Sequence, residues 1–512
     1  MKTWLMNILV GFPTFLAFGY CLTFFGGILS LPSIYLHFPQ LDTTTTKGAL
    51  KDHNSLIQGT VNGASNLGGI CGSLFCMWAG NKFGRRLTTF VGAFITLIGT
   101  VIFCTSFSMA QMIVSRVVQG WGIGMMISTV PVWQSECSNT KNRSSHVIVD
   151  GIMVSGGFML AGWITYGFWT THSEESWSWR IPGIFIGIFA LMVLSGVYLF
   201  PESPRWLVMK GRTEEAALIF ADIHKTSVDS EVVQRDLSAV IRANEASKHT
   251  KWTGLFSYRE NKMLWRLFLT VTVQFYTQMN GAGIITAYSS QLFSTIGLGP
   301  DLAHIIAGVS LTFKLIMCCI PYFVIERFGR RMLFMVSGAG MAICMFVLAI
   351  CGSQTTPTHL APAYVAIVFV FLFLIFLPLA YLGVNFLYCQ EVISTRYRAP
   401  AGGISTAVLW LTQFVLALTT PLGLQVLSWR YYLIWGCVSA TIVPAVYFWY
   451  PETTGLSMEE LEDIWAVPGG VTSAVREAKR LRSHKESKAF ESGTATPVVV
   501  EEKIDTDYVE KA

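Results

Sequence analysis

Long runs of apolar residues alternate with short polar segments along most of the chain. Twelve of these runs are long enough for a transmembrane helix, which needs about 20 residues, and they start near residues 5, 58, 88, 112, 147, 181, 266, 302, 332, 362, 402 and 431. Longer polar stretches follow the sixth and the twelfth run. The pattern predicts an all-α integral membrane protein with twelve transmembrane helices, six on either side of a polar linker.

These boundaries divide the chain into four parts. We predict an N-terminal six-helix half at 1–200, a cytoplasmic helical linker at 201–264, a C-terminal six-helix half at 265–450 and a cytoplasmic tail at 451–512. The linker contains amphipathic pieces that favour helices. The tail is strongly polar, and we expect it to be largely disordered after residue 466.

The second half of the chain repeats the first. Three motifs return roughly 250 residues later in corresponding places. They are Phe83-Gly84-Arg85-Arg86 with Phe328-Gly329-Arg330-Arg331, Glu136 and Arg143 with Glu391 and Arg398, and Pro201-Glu202 with Pro451-Glu452. The repeat predicts two pseudo-symmetric halves. Parallel repeats of membrane helices are typical of transporters that hold a substrate between two moving halves, so a transporter is the first hypothesis.

The distribution of charge indicates how the chain is oriented. Apolar residues make up 52% and charged residues 13%, about half the charged fraction of a soluble protein. Basic residues collect in the loops that face the same side as both termini, whereas the opposite loops keep mainly Lys47, Lys51, Arg180 and Arg430. This asymmetry predicts that both termini are cytoplasmic. The net charge of +5 follows from these loops, and we expect no nucleic-acid partner.

An enzyme is not expected from the residue types. The sequence contains no metal-ligand spacing, no nucleotide-binding motif and no set of nucleophile and base. The eleven cysteines are scattered, mostly in apolar runs, and fit small packing residues. We therefore predict no catalytic residues, no metal and no cofactor.

The motifs together resemble those of the sugar porter family of the major facilitator superfamily, and of its fungal members in particular. The motifs are Gly80 to Arg86 after the second span, Pro201 to Leu207 after the sixth, Pro451 to Gly455 after the twelfth, and Arg116 with Gly120, Gly122 and Gly124 in the fourth. The resemblance covers about residues 10–465. It implies an alternating-access carrier of a small polyhydroxylated solute, a monosaccharide or related polyol, that works as a monomer among the lipids of the plasma membrane.

The same resemblance implies a gate of charged side chains at the cytoplasmic helix ends. In similar transporters such groups form ion pairs across the two halves when the cytoplasmic side is closed. Exposed ion pairs contribute only about 0–1 kcal/mol each, which suits a switch between states of similar energy. The alternative is that they only determine topology. The residues are Arg85, Arg86, Glu136, Arg143, Arg330, Arg331, Glu391 and Arg398.

The resemblance also implies the residues that contact substrate. The positions that match or replace the family's sugar contacts are Gln274, Thr277, Gln278, Lys314, Phe386 and Trp410. Several amides of the family pattern are missing, and the glutamine position of the fifth span is Gly151. Because amides pair well with sugar hydroxyls, a lower affinity for a plain hexose is expected.

The first span departs from the pattern of proton-coupled members. Those members carry Gly-Tyr-Asp, whereas this chain has Gly19-Tyr20-Cys21 and keeps the nearby arginine, Arg116. A thiol is a poor proton carrier at neutral pH. Proton symport by the usual route lacks its carboxylate here, and we expect facilitated diffusion or another coupling.

Lys314 replaces an asparagine in the middle of the eighth span. A lysine at this depth costs about 2.5–3.5 kcal/mol and usually faces a cavity or a partner. Three interpretations stay open: Lys314 binds an anionic group of the substrate, it pairs with Asp150 of the fifth span, or it packs as a relic. The first would make the substrate an acidic polyol or a secondary metabolite, perhaps exported; a non-transporting nutrient sensor is a further alternative.

Overall fold

The computed structural model describes residues 3–137, 143–172, 174–248, 252–258, 261–288, 292–293, 299–355, 361–394, 397–456 and 458–491. Within these ranges the regular secondary structure is helical. The N-terminal half contains α1 (Phe12–Ile28, entered through the π-helical turn Asn7–Gly11), α2 (Ala49–Phe83), α3 (Arg85–Cys104), α4 (Met109–Cys137), α5 (Arg143–His172) and α6 (Trp177–Gly196). The linker contains α7 (Pro204–Met209), α8 (Thr213–His224) and α9 (Glu231–Lys248).

The C-terminal half also has six spans, but three of them are interrupted. The seventh span is α10 (Met263–Gln278) with α11 (Ala282–Ala287), and the eighth is α12 (Pro300–Met317) with α13 (Ile320–Phe328). The ninth is α14 (Arg330–Gln354), and the tenth is α15 (Ala361–Tyr381) with α16 (Val384–Val392). The last two are α17 (Arg398–Leu427) and α18 (Arg430–Trp449). The twelve predicted spans are confirmed in number and order.

Two spans would be missed by hydropathy alone. Ten helices of the described chain are long and apolar enough to cross a membrane; the other two spans are α2 and the α10–α11 pair. In α2 the polar side chains Asn54, Gln58, Asn62 and Asn66 are buried inside the protein, so they lower the mean hydropathy without facing lipid. The seventh span is divided at Gly281, whose φ of 85° suits a residue that lacks a Cβ.

Each half has its own apolar core, which a few side chains of the other half join, and the halves meet around a central space. One cluster of buried side chains lies among α1, α3, α4, α5 and α6, and another among α10, α14, α15 and α18. The halves contact each other mainly where α2 packs on α17, where α5 packs on α12 and where α1 meets α11. Each interface therefore joins one helix of each half, as rocking halves require.

The tail differs from the expectation. Two helices follow the last span, α19 (Met458–Ala466) and α20 (Val471–Glu491), so the disorder predicted after residue 466 is wrong for Val471–Glu491. α19 buries Leu461, Ile464 and Trp465 in the core of the C-terminal half. Arg266 Nη1 lies 2.7 Å from Glu462 Oε2, and Arg482 Nη1 lies 3.6 Å from Glu452 Oε2. Residues 492–512 lie outside the described chain.

Candidate functional site

A small cavity of about 50 Å³ lies between the halves. Helices of both halves contribute to its wall. The wall is mostly apolar, with Phe18, Phe158 and Phe386 as its aromatic side chains besides Tyr381. The other polar groups are those of Thr277, Gln278, Thr286, Lys314 and Gln413. A few polar groups in an apolar cavity can orient a small polar ligand.

Four of the six predicted substrate contacts line this cavity: Thr277, Gln278, Lys314 and Phe386. The structure places Gln274 outside the wall. Asn385 Nδ2 donates to Gln274 Oε1 over 3.4 Å and to Thr277 Oγ1 over 3.2 Å. Gln274 precedes Gln278 by about one helical turn. The side chain of Asn385 bonds both Gln274 and the cavity residue Thr277.

Trp410 also lies outside the wall. Its ring packs on Gly69 of α2, where an added Cβ would lie only 2.3 Å from the indole, and it meets Phe18 edge-on at 5.2 Å between ring centres. The neighbouring Leu409 lines the cavity instead. Successive helical residues are about 100° apart, so a sequence match at this pair does not tell which of the two faces substrate.

Gln413 is a cavity residue that the sequence comparison missed. It follows Leu409 by four residues and therefore shares the face of α17 that lines the cavity. Its side chain is buried, and its Oε1 atom has no hydrogen-bond partner among the described residues. Helical periodicity from Leu409 could have identified it.

Lys314 is buried, with 1% of its surface exposed. Its Nζ atom lies 3.9 Å from the centre of the Phe158 ring, a distance at which a cation is attracted to an aromatic face. Within the described chain, neither an ion pair nor a hydrogen bond joins Lys314 Nζ to another side chain. The ammonium group thus reaches the cavity without a counter-charge.

The pairing of Lys314 with Asp150 is not formed, and that prediction is wrong for this structure. Asp150 is buried near the predicted cytoplasmic side, where Gln134 Nε2 donates to Asp150 Oδ1 over 3.4 Å and to Asn7 Oδ1 over 3.1 Å. Asp150 precedes the cavity residue Gly151 by one position and is therefore turned about 100° away from the cavity wall.

Arg116 and Cys21 meet as the resemblance implies. Arg116 Nη1 lies 3.4 Å from Cys21 Sγ, and Arg116 Nη2 donates to Ser65 Oγ over 3.1 Å. The guanidinium also lies 4.9 Å from the centre of the Phe24 ring. No carboxylate of the described residues pairs with this fully buried arginine.

The charged residues of the N-terminal half form a compact cluster at the predicted cytoplasmic ends of the helices. Arg85 Nε lies 3.0 Å from Glu136 Oε2, and Ser203 Oγ donates to the same oxygen over 2.5 Å. The Glu202 carboxylate accepts from the backbone N–H groups of Arg85 (2.9 Å) and Arg86 (3.1 Å). A carboxylate at the N-terminus of a helix is favoured by the unpaired N–H groups there.

The C-terminal half repeats the arrangement of this cluster. Arg330 Nη2 lies 3.1 Å from Glu391 Oε1, and Thr453 Oγ1 donates to Glu391 Oε2 over 2.6 Å. Glu452 accepts from the backbone N–H groups of Arg330 (3.0 Å) and Arg331 (3.1 Å). Each of these ion pairs joins groups within one half. The pairing across the halves that the resemblance implies stays a prediction.

The remaining predicted gate residues lie at the same ends of the helices. Arg86 Nη2 donates to the Tyr198 carbonyl over 2.7 Å, and Arg331 Nη2 donates to the Tyr447 carbonyl over 2.6 Å. Arg398 is half-buried at the first residue of α17. The side chain of Arg143 lies outside the described part of the chain.

The opposite ends of the helices carry direct contacts between the halves. Asn62 Nδ2 donates to the Tyr288 hydroxyl over 2.7 Å, and Ser55 Oγ donates to Gln425 Oε1 over 2.6 Å. At the predicted cytoplasmic side, the backbone of Gly151 in α5 approaches that of Leu382. The halves thus touch on both sides of the cavity.

Comparisons with known proteins agree with this architecture. A family model described as "Sugar (and other) transporter" matches residues 6–465. The sugar transporter STL1 of Saccharomyces cerevisiae is 33% identical over 459 residues, which cover 88% of this chain and 79% of that protein. The major facilitator superfamily transporter mfsA of Aspergillus fumigatus is 31% identical over 460 residues, 88% of this chain and 84% of that one.

A solved structure also resembles the fold. The proton:xylose symporter XylE bound to 6-bromo-6-deoxy-D-glucose superposes with a TM-score of 0.77 at 22% identity, covering 90% of this chain and 99% of that one. Two six-helix halves around a central cavity define a membrane transporter of the major facilitator fold. The chain belongs to the sugar transporter family of that superfamily.

Proposed function

We propose that this protein carries a monosaccharide across a membrane by alternating access, and that it works as a facilitator. The substrate class is supported by the names of its relatives, which include a high-affinity glucose transporter of Kluyveromyces lactis that is 27% identical over 447 residues, 83% of this chain and 80% of that one. These names favour a sugar carrier over the metabolite exporter and the nutrient sensor considered above.

The chemistry of the cavity supports the same proposal. A monosaccharide presents hydroxyl groups around its edge and C–H groups on its faces. The amides of Gln278 and Gln413 can donate to and accept from hydroxyls, and the Phe386 ring offers an apolar surface. The free Oε1 atom of Gln413 is an acceptor that a sugar hydroxyl would satisfy.

The contact of Arg116 with Cys21 is the single observation that carries the facilitator proposal. A proton-coupling site needs a group that gains and loses a proton near neutral pH and whose charge the arginine senses. Cys21 offers a thiol at 3.4 Å from the guanidinium in place of a carboxylate. Binding and release of sugar would then proceed without an obligatory proton in the first span.

We further propose that the two cytoplasmic clusters keep each half rigid while the halves rock. Glu202 and Glu452 tie the last span of each half to the start of its third span. The contacts that would break on opening are those between the halves, such as Asn62 with Tyr288. The alternative, in which the basic residues only set topology, predicts that neutral substitutions leave transport unchanged.

The cellular setting follows from the charge distribution and the family. We propose that both termini are cytoplasmic, because the basic clusters lie at the helix ends on that side. A monomer in the plasma membrane, surrounded by lipid, is the arrangement expected for such a carrier. Glycosylation-site tagging of the loops would test the orientation.

Uptake of labelled glucose into proteoliposomes tests the facilitator proposal. We expect uptake by the wild-type protein to be unaffected by a pH gradient or by an uncoupler. The Cys21→Asp variant places a carboxylate beside Arg116 and should make uptake depend on the pH gradient, whereas the matched Cys21→Ser variant should not. Wild-type uptake that is driven by an inward proton gradient would refute the proposal.

A further inference from the structure

The charge of the central cavity is not balanced. Lys314 is the one cationic side chain among the described residues of its wall, and none of those residues is acidic. Its Nζ atom lies 3.9 Å from the centre of the Phe158 ring. An aromatic face attracts a cation but does not neutralise it. Keeping an ammonium group away from bulk water is costly, and a ligand of opposite charge would offset that cost.

The acidic residue that could have supplied the counter-charge is engaged elsewhere. Asp150 of α5 is buried against Gln134, whose Nε2 atom lies 3.4 Å from the carboxylate. It faces α4 and the start of the first span, because Gln134 also bonds Asn7. Asp150 therefore supplies no counter-charge to Lys314 in the cavity.

We propose that the physiological substrate is a monosaccharide that bears a carboxylate, and that Lys314 binds that carboxylate. This inference rests on the proposed function, and it narrows the substrate to sugar acids. The ammonium group would donate a charge-assisted hydrogen bond to the carboxylate. Gln278 and Gln413 would form hydrogen bonds with the ring hydroxyls, and the Phe158 ring would pack against the lysine ammonium group.

The size of the charge favours a carboxylate over a phosphate. A phosphate monoester carries about 1.5 to 2 negative charges at pH 7, whereas the described wall offers a single cation. A carboxylate carries one charge and is matched by one ammonium group. A neutral sugar could be served by an amide at this position without any buried charge, whereas a carboxylate would also compensate the charge of the lysine.

Three probes that differ only at C6 test the proposal: D-glucose, D-glucuronate and D-glucuronamide. The amide has nearly the shape of the acid but no charge. We expect the wild-type protein in proteoliposomes to transport glucuronate with a kcat/KM about 10- to 100-fold above that of either neutral probe, the ratio expected for one hydrogen bond to a charged group. Lys314→Met should remove this preference, so that the ratio of kcat/KM for glucuronate to kcat/KM for glucuronamide falls to about 1.

Two controls separate loss of charge from loss of folding. Lys314→Arg keeps the positive charge and should keep most of the preference for glucuronate. Purified Lys314→Met protein should elute as a single species, and its melting temperature should rise no more with glucuronate than with glucose. This binding measurement gives an answer even where transport by a variant is weak.

The outcomes distinguish the two proposals. Glucose transport that equals or exceeds glucuronate transport in the wild-type protein overturns the assignment of a sugar acid and leaves the monosaccharide carrier intact. An equal loss for all three probes in Lys314→Met overturns the role of Lys314. If the wild-type protein transports none of the three, the proposed function fails and this inference fails with it.

Discussion

Gly26 in α1 offers a direct test of how the halves separate. Its backbone faces the carbonyl oxygen of Ala287 at the end of α11, and a Cβ added there would lie 2.0 Å from that oxygen. α1 belongs to the N-terminal half and α11 to the C-terminal half. The Gly26→Ala substitution therefore places a methyl group in a contact that exists only while the predicted outer ends of the helices are closed.

The size of the conformational shift that Gly26→Ala should cause follows from the distance between Gly26 and Ala287. Cβ atoms essentially never approach within 3.0 Å of another heavy atom, so the two backbones must separate by about 1 Å. Overpacking of this kind costs about 1–3 kcal/mol. The outward-open conformation is expected to lack the contact, so the cost destabilises only the conformation whose outer ends are closed. The equilibrium between the two conformations should therefore shift about 5- to 150-fold toward the outward-open one.

Labelling of a cysteine in the cavity measures this shift. Thr286 lines the cavity, and a Thr286→Cys side chain should react with a membrane-impermeant maleimide from outside only when the outer ends open. Gly19→Ala is the matched control, because its added Cβ would also lie 2.0 Å from a backbone oxygen, that of Val154. Gly19 and Val154 belong to the same half, so that strain affects both conformations equally.

We expect faster labelling of Thr286→Cys with Gly26→Ala and an unchanged rate with Gly19→Ala. The parent protein without Thr286→Cys gives the background from native cysteines. Equal labelling rates in the two glycine variants would refute the reasoning, because the contact of Gly26 with Ala287 would then not distinguish the conformations.

Three further predictions concern single side chains. Gln413→Ala should raise KM for the transported sugar about 2- to 12-fold by removing one hydrogen bond, as measured by initial uptake rates. Glu391→Gln should lower the free energy of unfolding by about 1–3 kcal/mol, because it removes a charge beside the buried Arg330 guanidinium; a melting temperature equal to that of wild type would contradict this. Burial would raise the pKa of Glu462, but the hydrogen bonds and charge of Arg266 outweigh it and hold that pKa below its usual value. Docking of α19 should thus be fully stabilised above about pH 4.5 and weaken as the pH falls through the lowered pKa, and limited proteolysis at decreasing pH would detect the release.

The membrane architecture could be predicted because each span satisfies a simple physical requirement for length and apolar surface. α2 shows where hydropathy alone fails. Its buried asparagines, such as Asn62, pack against protein and never meet lipid. The repeated motifs identified this span through its position, because Phe83 to Arg86 directly follow it.

The candidate site could be predicted only in part. A sequence match gives the helix and the approximate depth of a residue, but an error of one position turns a side chain by about 100°. Trp410 lies outside the cavity wall for this reason, since Leu409 lines the cavity in its place. Gln274 lies on a suitable helix, but Asn385 from the interrupted tenth span covers it, and no local pattern indicates that contact.

The C-terminal tail shows a second limit of prediction from sequence. α20 is polar and highly charged, a composition that favours disorder in isolation. In the folded protein its Ala474 and Ala478 are buried, and Arg482 reaches Glu452. The helix is thus supported by contacts with distant residues that composition cannot reveal.

The charged cluster at the predicted cytoplasmic helix ends of each half is formed by residues of that half alone. This has a consequence for biosynthesis. In the N-terminal half the cluster is complete once Glu202 and Ser203 have left the ribosome, because its partners Arg85 and Glu136 precede them in the chain. Proteins of this size commonly fold by domains during synthesis, so the first six spans can assemble before the seventh is made. Two fragments divided between α8 and α9 and produced in the same cell should then find each other in the membrane and restore an active carrier.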